Sequence, residues 1–120
     1  MPIGCEINAN TQKVNGKEVK LVMVRGFLDA HSFPVFEKEL NALIEQGSNN
    51  MVLNLSGLDY ISSAGLGVLI GVAKKLRVNQ GDLKLSALPE KIYKIVNLLG
   101  FTRILQVFDN DQDAINSFKA

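Results

Sequence analysis

With 120 residues, 47% of them apolar and 21% charged, the chain has the composition of a single globular domain, long enough to bury a core without disulfides or metal. Thirteen basic against twelve acidic residues leave a net charge of +1, and the basic residues are dispersed, which excludes a nucleic-acid footprint. The lone Cys5 rules out an internal disulfide, and no apolar run approaches the roughly 20 residues of a membrane span, so a cytoplasmic protein is expected.

From the N-terminus, MPIGCEINAN has no basic start and no apolar h-region, so it does not read as a secretion signal. CEINANTQ (5–12) and EVKLVMVRG (18–26) read as strands, and Asn15-Gly16 between them is a hairpin signal. The second strand is apolar on nearly every residue from Leu21 to Val24, as in a strand covered on both faces. DAHSFPVFEKELNALIEQG (29–47) switches to helical spacing, with Phe36, Leu40, Leu43 and Ile44 on one stripe. Ser32 suits its cap, Pro34 its first turn and Gly47 its exit.

NMVLNLSG (50–57) returns to strand, and SSAGLGVLIGVAKKLRVNQG (62–81) is a second helix. Its stripe is Leu66, Leu69, Ile70, Ala73 and Leu76, and its Lys74-Lys75 pair, the densest basic cluster of the chain, fits a solvated face. DLKLSAL (82–88) is a strand, PEKIYKIVNLLG (89–100) a helix from Pro to Gly, and ILQVF (104–108) a short last strand. NDQDAINSFK (110–119) closes the chain as a helix with Ala114, Ile115 and Phe118 inward. No linker, repeat or low-complexity tract interrupts this series, so residues 1–120 read as one domain. The order predicts an α/β fold: a mixed β-sheet, N-terminal hairpin first and parallel crossovers after, packed with about four helices. In such sheets sites gather where strands end and helices begin.

One of those junctions is YISSAGLG (60–67), two adjacent serines ahead of a glycine-rich turn. A phosphate-cradling loop fails on spacing, because no Gly-Lys-Ser/Thr occurs. The dinucleotide fingerprint fails too: Gly65 and Gly67 are present, but Ile70 fills the sixth place. There is no G-x-S-x-G elbow, and a triad of Ser63, His31 and Asp29 has only that one histidine to serve as base. One His and one Cys cannot make a four-ligand zinc site. The residues therefore argue against an enzyme, and no cofactor or metal is expected. Two readings of the serines remain open on the residues alone. One is a helix cap, which needs only one hydroxyl. The other is an exposed modification site.

These stretches resemble the STAS-domain anti-sigma factor antagonists of bacteria. MVLNLSGLDYISSAGLGVLIGVAKKLR is similar to that family's strand, D-S-[ST]-G-L-G turn and helix. VRGFLDAHSFPVFEKEL resembles its G-x-L-D segment, and the remainder from Gly81 to Phe118 matches its C-terminal half. The resemblance implies an unphosphorylated form that binds an anti-sigma factor, usually a serine kinase, and so frees a sigma factor. It implies phosphorylation of the serine at the turn by that kinase, reversed by a PP2C-type phosphatase. Anchored on Gly65-Leu66-Gly67, the acceptor falls on Ser63, with Ser62 at the family's aspartate and as the alternative acceptor. Ala64 stands at the second hydroxyl position. Asp29 matches the aspartate of the G-x-L-D segment, and the implied partner surface is Asp29 with Ser62, Ser63, Ala64, Gly65, Leu66 and Gly67. Two other functions stay in view: an unphosphorylated STAS scaffold or transporter-associated subunit, and a small α/β nucleotide-binding enzyme.

Overall fold

Asn15 and Gly16 take φ of 51° and 78° in the computed structural model, which describes residues 4–118. Positive φ at both positions gives a two-residue turn whose twist matches that of the strands it joins. β1 (Cys5–Val14) and β2 (Lys17–Leu28) accordingly pair antiparallel, from Val14 opposite Lys17 to Cys5 opposite Gly26. Both run two residues or more beyond the predicted strands. β3 (Asn50–Ile61), β4 (Asp82–Ser86) and β5 (Gln106–Phe108) join in parallel, giving the order β1-β2-β3-β4-β5.

Successive right-handed crossovers in one direction place their helices on one face of a sheet. Thus α1 (Phe33–Glu45), α2 (Ser63–Val78) and α3 (Glu90–Leu98) enclose the main core against Val22, Val24, Leu53, Leu55, Leu83 and Leu85. A short α4 (Asp111–Asn116) follows β5 and covers the other face, where Ala114, Ile115 and Phe118 meet Val19, Leu21 and Val52. The unbroken apolar run of β2 is explained by this division: alternate residues feed two cores. Lys119 of the expected closing helix lies outside the described residues.

The structure departs from the sequence reading elsewhere too. β3 extends to Ile61 rather than Gly57, so it outruns β4 by seven residues, because its pairing with β4 ends at Asn54 while its pairing with β2 continues to Leu28. Two register shifts against β2 occur along that extension. Ser32 precedes α1 but makes no side-chain cap bond; its hydroxyl donates to the Phe27 carbonyl and accepts the Asp29 amide at 3.0 Å. In α2 the buried stripe includes Val68 and Val72, whereas Ile70 is only partly buried at its margin. Finally, a single turn of 3-10 helix (Phe101–Arg103) follows α3, and β5 begins only at Gln106.

No helix among the described residues is long and apolar enough to cross a membrane.

Candidate functional site

The tip of the extended β2-β3 pair carries the two serines. β3 ends at Ile61, and the Ser62 amide donates to the Leu28 carbonyl at 2.8 Å, tying the turn to the end of β2. Ser62 is extended, with φ −90° and ψ 169°, and its Oγ accepts the Gly65 amide at 3.1 Å. Its carbonyl accepts the Leu66 amide at 3.0 Å. Ser62 is therefore the N-cap of α2, and its hydroxyl is occupied in holding the first turn. Ser63, the first helical residue, is exposed beside it. Of the two hydroxyls, one is structural and one is presented.

The small residues of the turn serve two ends. A Cβ on Gly65 would stand 3.1 Å from the Leu28 carbonyl oxygen and 3.2 Å from both Leu28 Cβ and Ile61 Cγ1. Its absence lets α2 settle directly onto the strand ends. Leu66 follows it into the main core and is fully buried. Gly65 and Leu66, expected on a partner surface, are instead buried beneath the turn; helical spacing from the Ser62 cap turns both inward. Ala64 and Gly67 are exposed with Ser63.

Asp29 lies next to Leu28 and so beside the turn, but its carboxylate faces its own loop. Its Oδ1 accepts the backbone N–H of His31 at 2.9 Å and of Ser32 at 3.1 Å, and lies 3.2 Å from Ser32 Oγ, whose proton goes to the Phe27 carbonyl. The Ser32 amide, more than any other neighbour, holds this carboxyl below its ordinary 3.8. His31 engages it through the backbone N–H, not the ring, so the paper triad of Ser63, His31 and Asp29 has no relay. Among the described residues no three His, Cys, Asp or Glu side chains stand together as a metal site. A hollow of about 540 Å³ between α3 and β5, lined by Leu88, Tyr93 and Phe108 among others, includes neither serine.

Two neighbours of the turn escaped the sequence reading. Phe27 and Tyr60, at the ends of β2 and β3, are 48% and 46% exposed despite their size. The strand expected over 50–57 stops short of Tyr60, whereas β3 continues to Ile61.

The STAS domain family model matches residues 8–114. BtrV of Bordetella bronchiseptica is 36% identical over 107 residues, covering 89% of this chain and 90% of that protein. The anti-sigma-B factor antagonist of Bacillus subtilis is 32% identical over 95 residues, covering 79% and 85% respectively. The phosphorylated form of the Bacillus cell fate determinant SpoIIAA superposes with a TM-score of 0.67 at 19% identity, covering 93% of this chain and 100% of that one. At that identity the superposition establishes the fold.

Proposed function

The chain belongs to the STAS domain family, among its anti-sigma factor antagonists, and on that premise we propose that it is a binding protein switched by phosphorylation of Ser63. The unmodified form binds an anti-sigma factor with serine kinase activity and frees a sigma factor in the cytoplasm. The kinase transfers the terminal phosphoryl group of ATP to Ser63 Oγ, which loses its proton, and ADP leaves. A PP2C-type phosphatase hydrolyses the phosphoserine and restores the binder. The chain itself performs no chemistry in this cycle; it is ligand and substrate in turn.

The division of labour between the serines carries this reading. Ser62 is engaged by the Gly65 amide, and Ser63 is exposed at the first helical position. A serine at the family's aspartate position also fits, because both residues are strong N-caps. Phosphate adds about −1.5 to −2 charges at pH 7, and it would sit at the positive end of the α2 dipole. The fold should therefore accept the modification. A partner surface closing over Ser63 would not, since a desolvated, unmatched charge costs several kcal/mol.

The test compares Ser63→Ala and Ser63→Asp with wild type, by titration against the purified anti-sigma factor kinase of the same cell and by denaturant unfolding. Both variants are expected to stay folded, with Ser63→Ala losing at most about 1 kcal/mol because Ser62 keeps the cap. Ser63→Ala should bind as wild type does, and Ser63→Asp at least tenfold more weakly, about 1.4 kcal/mol. Equal affinities for the two variants would remove the phosphoswitch and favour an unphosphorylated scaffold.

A further inference from the structure

The exposed part of the turn consists of Ser63, Ala64 and Gly67, none of which can anchor a protein interface. Binding energy concentrates in a few buried large side chains, with aromatic residues prominent among them. The exposed large apolar residues include Val78, Leu98, Leu99 and Ile104. Val78 closes α2 and is about 22 Å from Ser63 along a helix rising 1.5 Å per residue. Arg77 donates to the Ile104 carbonyl at 2.7 Å, which places Ile104 at that same far end. Phe27 and Tyr60 are different: Tyr60 is two residues before the cap, and Phe27 precedes the Leu28 carbonyl that holds the turn.

The two rings are also paired. Phe27 and Tyr60 are register partners across the parallel β2 and β3, so they stand side by side on one face of the sheet. The next pair, Leu28 and Ile61, is buried in the main core, which puts the aromatic pair on the opposite face. There α4 covers Val19, Leu21 and Val52, lower on the sheet, and leaves this end bare. Beside Phe27 the surface sinks into a hollow of about 220 Å³, bordered by Gly26, Gly57, Arg25, Glu6 and Asp59. Three glycines, Gly4, Gly26 and Gly57, stand in its wall, and a Cβ on Gly57 would lie 2.9 Å from Arg25 Cγ.

We infer that Phe27 and Tyr60 form the anchor by which the anti-sigma factor kinase grips the unmodified chain, with an apolar side chain of the kinase seated between the rings and the hollow. This rests on the reading of the Ser63 turn as the kinase-facing surface, with which the aromatic pair is continuous. Affinity then resides in the rings and regulation in the hydroxyl beside them.

The purified anti-sigma factor kinase of the same cell is titrated into four proteins: wild type, Ser63→Asp, the double variant Phe27→Ala/Tyr60→Ala, and Val78→Ala/Ile104→Ala as a control at the far end. The aromatic double variant should bind at least tenfold more weakly and the control within twofold of wild type. In parallel, p-benzoylphenylalanine in place of Tyr60 should cross-link to the kinase on illumination, which keeps the test valid if the double variant folds poorly. Wild-type affinity in the aromatic double variant, or no cross-link from position 60, overturns the inference while the Ser63 reading stands. A kinase that binds wild type and Ser63→Asp alike overturns that reading and the inference together.

Discussion

Adjacent serines at 62 and 63 differ in what their oxygens are free to do. Because Ser62 Oγ holds the Gly65 amide, Ser62→Ala should cost about 1 kcal/mol in denaturant unfolding, while Ser62→Asp, another strong cap, should cost little. The same pair could not be sorted from the sequence, since either serine has the chemistry to cap and the choice depends on where β3 ends. Cys5 offers a second single-residue test. Burial, with smaller contributions from the Glu39 and Glu6 carboxylates, pushes its thiol from 9.0 to about 11. A folded-state value raised above the unfolded one adds stability that is complete below pH 9 and is lost as pH rises through 11. Unfolding free energy should therefore fall more steeply between pH 9 and 11 for wild type than for Cys5→Ser, and parallel curves for the two would show the thiol to be solvated.

Elements were legible in the sequence where their signal was local. The Asn15-Gly16 turn, the Pro34 start of α1 and the periodic stripe of α2 all arise from neighbours within a few residues, and each element appears where expected. Their limits were not legible, since pairing across strands sets them: Leu58 to Ile61 are strand only because β2 lies alongside. Nor does periodicity separate Ile70 from Leu69, as both fall on the apolar arc and only the packed neighbours decide which is covered. The docking of α4 is likewise a long-range matter. Asp111 Oδ1 accepts from Asn54 Nδ2 and from Ser86 Oγ, both at 2.7 Å, and Lys84 Nζ donates to Ser117 Oγ at 2.8 Å with its charge 4.4 Å from the centre of the Phe118 ring. Burial lowers the Lys84 ammonium below its usual range. Asp111→Ala would leave the buried Asn54 and Ser86 groups without their acceptor, and should cost about 1–3 kcal/mol in chemical denaturation. An unchanged midpoint would mean that α4 is held by its apolar side alone.

At the scale of the molecule, the sheet is wider at one end than at the other. Its lower half carries all five strands, and the main core runs up from there to Leu28, Ile61 and Leu66 beneath the serine turn. The upper end is narrower, with β1, β2 and β3 alone extending to the turn. Ser63 itself is exposed above that core, so a charge added there meets solvent first. That projecting end has a further consequence. From Leu55 to Ile61 the side of β3 away from β2 has no strand beside it among the described residues, and an open edge of this kind is a template for pairing with a second chain. The two register shifts against β2 fall within this stretch, and such irregularities twist the backbone out of the even spacing that another strand would need. The irregular course of β3 is therefore unfavourable for pairing with a second strand along this edge, which leaves the tip open.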